Sequence, residues 1–147
     1  MRMLIVEDEE ALAKGLRFNF EQEGFEVSLA GDGTTAVRMF EESAPPYEVV
    51  ILDLMLPGMS GYEVCQRLKS DPQTRNISII MVTALAEMGD IEKAVNAGAN
   101  DFLTKPVNKL ELITRVKTLL ELRHVKSELD RLLKYMEGVE GSHGTSG

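Results

Sequence analysis

ILDLMLPGMSGYE, residues Ile51 to Glu63, begins as a buried strand and stops at a single carboxylate, Asp53, before turning through Pro57 and Gly58. An acid at the end of an apolar strand is costly unless something uses it. Val49 and Val50 extend the apolar run upstream, while Val64 and Leu68 recur at helical spacing across Gly61 to Lys69. The unit is strand, tight turn, helix.

The rest of the chain repeats that unit. Met3-Leu4-Ile5-Val6 is an apolar run ending in EDEE. Across Glu10 to Glu23, Leu12, Leu16 and Phe20 stand four apart, which predicts an amphipathic helix, with Gly24 as its stop. FEVSLA alternates with period two as a second strand. Ala36, Val37 and Phe40 mark a helix over Gly33 to Glu42, which Pro45-Pro46 ends. After the Ile51 unit come a fourth strand, Ile77 to Val82, and a helix, Asp90 to Ala97, stopped by Gly98. Asp101-Phe102-Leu103 is a short fifth strand, and Asn108 with Glu111 reads as the capping box of a last helix. Strands alternating with helices predict a parallel sheet covered on both faces, and right-handed crossovers make it a doubly wound α/β sheet.

At 147 residues the chain fits one domain with room for an appendage, and 44% of it is apolar. A chain of this size buries roughly 68–70% of its unfolded surface and needs no disulfide staples. The single cysteine, Cys65, has no internal partner, which suits a reducing compartment. No run reaches membrane-spanning length and no secretory segment opens the chain, so a cytoplasmic protein is expected. Lys plus Arg total 16 against 24 Asp plus Glu, a net charge of -8, which argues against direct nucleic-acid binding.

In an open doubly wound sheet, sites form beyond the carboxyl ends of the strands, where strand order reverses. With order 2-1-3-4-5 that point lies between the first and third strands. Glu7, Asp8 and Asp53 then converge on one rim, joined by Thr83 from the fourth strand and Lys105 after the fifth. Clustered carboxylates repel, so their pKa values rise or a cation joins them. An all-oxygen site with room for water suits Mg²⁺. Beside such an ion, Asp53 is a plausible nucleophile toward phosphorus, with Lys105 and Thr83 neutralising and orienting the phosphoryl group.

LIVEDEE, VVILDLMLPGMSGYE, IIMVTA and AGANDFLTKP, in this order and spacing, resemble the receiver domain of bacterial two-component response regulators. The resemblance covers residues 1–122 and implies a flavodoxin-like fold. It implies that Asp53 accepts a phosphoryl group from a histidine kinase or phosphotransfer protein. By the same resemblance Asp8, Asp53 and the Met55 backbone carbonyl would ligate Mg²⁺, and Glu7 would act through water. Thr83 and Lys105 would hold the phosphoryl oxygens, Lys105-Pro106 would be cis, and Thr83 with Phe102 would form the switch. The sequence departs from the common pattern in its Glu-Asp pair, in Phe102 with no hydroxyl, and in Ser78 where proline is frequent. Met55 and Leu85, both apolar, occupy positions that modulate hydrolysis in the family and imply slow self-dephosphorylation.

The last helix is expected from about Lys109 to Met136, roughly 40 Å at about 1.5 Å per residue. Leu122, Val125, Leu129, Leu132 and Met136 recur at steps of three and four, a coiled-coil seam over residues 123–137 that predicts a parallel homodimer. Asp130 and Lys134 would add a surface i,i+4 pair. EGVEGSHGTSG reads as a flexible linker or appended tail over residues 138–147. Two rival functions remain. An aspartate-nucleophile phosphatase would want a second acid where Met55 stands. A phosphorylation-independent dimerisation or interaction domain would use the seam alone.

Overall fold

Among the residues that the computed structural model describes, 1–43, 46–84 and 88–146, five strands alternate with five helices. They run β1 Arg2–Val6, α1 Glu10–Gln22, β2 Glu26–Ala30, α2 Gly33–Glu42 and β3 Val49–Asp53. Then follow α3 Gly61–Ser70, β4 Ser78–Thr83, α4 Met88–Ala97, β5 Asp101–Thr104 and α5 Lys109–Ser146. Every strand pairing is parallel, in the order β2-β1-β3-β4-β5. This is the doubly wound sheet that the alternating pattern predicts.

Alternation within the strands sorts the core into two layers, because successive side chains point to opposite faces. Leu4, Val6, Val50, Leu52, Ile79 and Met81 pack with α2, α3 and α4. Met3, Ile5, Val49, Ile51, Ile80 and Val82 pack with α1 and α5. The central strands are buried on both faces, which is why they read as unbroken apolar runs rather than as alternation. At roughly 1.5–3 kcal/mol for each large apolar side chain fully buried, these two layers dominate the stability of the domain.

Two glycines end helices where the sequence places stops. Gly24 (φ 91°) and Gly98 (φ 103°) take left-handed backbone, and the chain closes behind them with Phe25 N–H on Phe20 O and Ala99 N–H on Ala94 O. Capping is partly as expected. Asp32 accepts from Thr35 N at 2.7 Å, Ser60 from Glu63 N at 3.3 Å and Asn108 from Glu111 N at 3.0 Å. The Glu111 side chain, however, pairs with Arg115 at 3.2 Å, so only the forward half of the Asn108 capping box forms. An exposed guanidinium one turn away offers that carboxylate a charged donor in place of a neutral amide. Pro45, half of the pair expected to end α2, lies outside the described residues, as does Leu85.

The largest departure concerns α5. It continues as helix to Ser146, ten residues beyond Met136, where a flexible tail was expected. Among the described residues only Gly24, Gly58 and Gly98 have positive φ, so Gly138, Gly141 and Gly144 supply no left-handed stop, and no proline interrupts the stretch. The first half of α5 is anchored by buried Leu112, Val116 and Leu120. Arg115 grips both oxygens of Asp101 in β5 at 2.9 and 3.0 Å, and Arg123 donates to Glu48 O at 2.8 Å. Beyond that point Val125, Leu129, Leu132 and Met136 are about half exposed or more. Arg131 pairs with Glu128 at 3.3 Å, whereas Asp130 and Lys134 form no ion pair.

Candidate functional site

Four strand ends build one rim. Glu7 follows β1, and its N–H continues the ladder to Ala30 O at 3.0 Å. Asp53 is the last residue of β3, in register with Val82, which places Thr83 one step beyond it on β4. Lys105 follows β5 and is tied to β4 through its N–H on Thr83 O at 2.8 Å. Asp53 therefore ends a strand buried along its whole length, and Glu7 and Asp8 follow one paired on both sides.

The rim is a charged cluster that is largely buried. Glu7 is 6% exposed, Asp53 4% and Thr83 fully buried, while Asp8 is open to solvent. Lys105 Nζ lies between the two buried acids, 2.6 Å from Glu7 Oε1 and 2.9 Å from Asp53 Oδ2. The second Asp53 oxygen, Oδ1, accepts from Met55 N at 3.0 Å, and Glu7 Oε2 accepts from Glu9 N at 3.2 Å. Both carboxylates are thus oriented from two sides. The Lys105-Pro106 peptide bond is cis.

Burial pushes the Glu7 carboxyl up to about 7; the Lys105 hydrogen bond pulls it back, and the hydrogen bond and charge of Asp53 push it further up. Burial would lower the Lys105 ammonium, but its hydrogen bonds to Glu7 and Asp53 outweigh that and raise it. One lysine cannot neutralise three acids. Glu7, Asp8 and Asp53 each offer an oxygen within 4.8 Å of the others, so a single ion could reach all three. Such an oxygen-only donor set, open to water on the Asp8 side, suits a hard cation that keeps part of its hydration shell.

Residues 3–117 match the model of the response regulator receiver domain. The chain belongs to the receiver-domain family of two-component response regulators. It is 42% identical over 128 residues to the response regulator PleD of Caulobacter vibrioides, covering 87% of this chain and 28% of that protein. It is 43% identical over 128 residues to the phosphate regulon transcriptional regulatory protein PhoB of Rhizobium meliloti, covering 87% and 55%. This receiver domain therefore spans between about a quarter and about half of these curated relatives. Among solved structures, a CheY-like receiver domain protein from Methanospirillum hungatei superposes with TM-score 0.80 at 28% identity, covering 85% of this chain and 97% of that one. The BeF3-activated DrrB receiver domain gives TM-score 0.74 at 32% identity, covering 82% and 97%. No helix among the described residues is long and apolar enough to cross a membrane.

Two features of the receiver site lay outside the sequence reading. The first is the direct Glu7–Lys105 pair, since the family resemblance implies for Glu7 only a role through water. The second is Gly61. A Cβ there would overlap the Asp53 carbonyl oxygen and come within 2.8 Å of Leu54 Cα, because Gly61 N–H folds back onto Leu54 O at 3.0 Å. The helix after the turn is pressed against the backbone that carries the acid. Phe102, in register with Met81, is partly buried against the layer formed by α2, α3 and α4, two positions before the Thr83–Thr104 pair.

Proposed function

We propose that this chain is a phosphorylation-controlled signalling switch in which Asp53 takes a phosphoryl group from the phosphohistidine of a sensor kinase or phosphotransfer protein. The observation that carries the reading is the placement of Lys105 Nζ between Asp53 and Glu7, with Asp8 completing an acidic cluster at the strand ends. An Asp53 oxygen forms the new O–P bond as the P–N bond of the donor breaks. The electron pair stays on the imidazole nitrogen, which takes a proton. Met55 N–H and Lys105 fix the attacking carboxylate before transfer, and Lys105 and the Thr83 hydroxyl then hold phosphoryl oxygens. Asp8, Asp53 and the Met55 carbonyl would hold Mg²⁺, with Glu7 bound through water. The ion supplies charge neutralisation for the transferring group. The chain catalyses only its own phosphorylation and dephosphorylation.

A phosphoryl group creates roughly one to three charge-assisted hydrogen bonds, each worth about 1.5–3 kcal/mol. Inverting a population of about 1:99 takes roughly 5.5 kcal/mol, so the modification is large enough to reset the domain. Thr83 moves toward the phosphate, Phe102 follows it inward, and the surface of α4, β5 and α5 changes for a partner or an output module. Incubation with Mg²⁺ and acetyl phosphate should add one labile phosphoryl group to the intact mass, and Asp53→Ala should abolish it. A gain that persists in Asp53→Ala overturns the assignment, as does sustained phosphate release from unrelated monoesters.

The apolar row on the projecting half of α5 favours a homodimer, parallel through Leu122, Val125, Leu129, Leu132 and Met136, because a lone helix of this length is marginal in water. It also supports the second reading, a dimerisation module indifferent to phosphate. Light scattering separates the two. Leu129→Glu should halve the mass, and under the second reading phosphorylation leaves both mass and binding surface unchanged.

A further inference from the structure

The rim opposite Asp53, at the amino ends of β4 and β5, carries a cleft of 540 Å³ where the projecting half of α5 leaves the domain. Four cations line it: Lys69 of α3, Arg75 of the following loop, and Arg123 and Lys126 of α5. Asp130 is the single acid among the lining residues. In a chain of net charge -8 this is a local reversal of sign. Among the described residues none of the four cations takes part in an ion pair, although most of the other basic side chains do. Two of them are fixed instead by carbonyl groups. Lys69 Nζ donates to Arg75 O and Ile77 O, both at 3.0 Å, and Arg123 to Glu48 O at 2.8 Å. Each keeps further N–H donors, because an ammonium has three and a guanidinium five. Burial lowers the Lys69 ammonium; the Cys65 thiol opposes that, and the Arg123 charge adds to it.

Other groups suit a ligand larger than a lone phosphate. Asn100 holds Ile79 N–H with its carbonyl oxygen, which leaves its amide nitrogen as a donor, and Leu119 and Leu122 form an apolar wall. The volume falls within the usual range of small-molecule sites, about 300–1,000 Å³. We propose that this cleft binds a soluble phosphate-bearing small molecule with at least two negative charges, of the nucleoside di- or triphosphate class, and that occupancy ties the start of the α5 extension to the domain body. The phosphates sit among Lys69, Arg75, Arg123 and Lys126, and the base lies on Leu119 and Leu122. Because the ligand would touch α3, the loop before β4 and α5 together, its binding would stiffen the exit of the helix. Leu122 is the one seam residue the base would touch; beyond it the seam is left clear, since Leu129, Leu132 and Met136 lie roughly a third to half a turn round the helix from Arg123.

The test is an amide NMR titration of the full chain in EDTA, with inorganic diphosphate, ATP and adenosine as probes at millimolar concentration. Diphosphate and ATP should shift the amides of Lys69, Asn76, Asn100 and Lys126, adenosine alone should not, and Asp53→Ala should keep the shifts. Arg75 and Lys126 are exposed, so Arg75→Gln with Lys126→Gln leaves the fold intact by circular dichroism and should weaken ATP binding about tenfold. The proposal is overturned by shifts centred on Asp53 that vanish in Asp53→Ala, by unchanged affinity in the double variant, or by equal binding of adenosine. It also falls if the chain sediments with phosphatidylserine vesicles while ATP moves no amide, which would make the source a lipid headgroup.

Discussion

Replacing Lys105 with methionine keeps the length and apolar stem of the side chain and removes one charge from the middle of the site. In the parent the ammonium stands 2.6 Å from Glu7 and 2.9 Å from Asp53, whose side chains are only 5% and 4% exposed. Removing one partner of a buried pair typically costs about 3–5 kcal/mol, because the remaining charge is left uncompensated. The lysine side chain is 20% exposed and Asp8 faces water, so solvent recovers part of that, and about 2–3 kcal/mol is expected. At about 2–4 °C per kcal/mol for a chain of this size, Lys105→Met should melt roughly 5–10 °C below the parent in EDTA. Magnesium should narrow the gap, since an ion at 100 times its Kd contributes about 2.7 kcal/mol at the same acids. Asp53→Asn should behave oppositely in EDTA, melting at or above the parent, because it lowers the repulsion while Lys105 keeps Glu7. The assay is a set of six melts, parent and both variants with and without Mg²⁺, followed by acetyl phosphate labelling read by intact mass. Lys105→Met should label at least about a hundredfold more slowly, because a donor aimed at developing charge is lost. If Lys105→Met melts with the parent in EDTA, or labels at the parental rate, then the ammonium neither stabilises the cluster nor serves the transfer, and the reasoning fails.

Three further outcomes follow from the same geometry. Gly61→Ala should destabilise the domain by about 2 kcal/mol or more in denaturant melts, and should slow Asp53 labelling, because backbone atoms of Asp53 and Leu54 must yield to the new Cβ. Cys65 is fully buried, its thiol donates to Ala97 O at 3.2 Å, and burial pushes it up to about 11. Iodoacetamide at pH 8 should therefore leave it unmodified in the native state and label it only after denaturation, the thiolate being scarce. Tyr62 Oη donates to Asp90 O at 3.0 Å, joining the start of α3 to the first turn of α4. Tyr62→Phe should raise amide exchange in α4 by several fold and change global stability by only about 1 kcal/mol.

The fold was legible because each of its elements is written in local periodicity. Val49 to Leu52 and Ile79 to Val82 are unbroken apolar runs too short for helices, and Leu16 and Phe20 stand a turn apart, so the order of elements follows from spacing alone. The meeting of Glu7, Asp53 and Lys105 is non-local, yet it could be anticipated, because a doubly wound sheet brings the carboxyl ends of its strands to one rim. What could not be read is the distance at which side chains meet. Whether Glu7 faces water or Lys105 depends on an ångström or two in the course of the chain after β1. The contact of Gly61 with the Asp53 carbonyl depends on how tightly the turn through Gly58 closes. Neither leaves a periodic trace. The end of α5 was misread because four glycines in eleven residues are a strong loop signal, whereas the helix continues where no described residue takes a stop conformation.

α5 makes contacts toward both ends of the sheet. At the Asp53 rim, a change at Thr83 or Phe102 would reach α5 through β5, because Asp101, next to Phe102, holds Arg115 with both oxygens and also accepts from Phe102 N–H at 2.8 Å. At the opposite rim α5 is held by Arg123 on Glu48 O and, lower down, by Lys117 on Glu23 at 2.7 Å. Exposed ion pairs such as Lys117–Glu23 contribute only a few tenths of a kcal/mol, and a single hydrogen bond to a carbonyl contributes about 1.5–3 kcal/mol when the donor is charged. The buried face of Leu112, Val116 and Leu120, at roughly 1.5–3 kcal/mol for each side chain, is worth more than the Arg123 and Lys117 contacts together. On the proposed reading, a phosphoryl group would therefore leave α5 on the sheet. It would alter how Arg115 engages β5, and through that the angle at which the helix passes Arg123. A signal leaving through the extension would accordingly be a change of angle in a helix that stays docked.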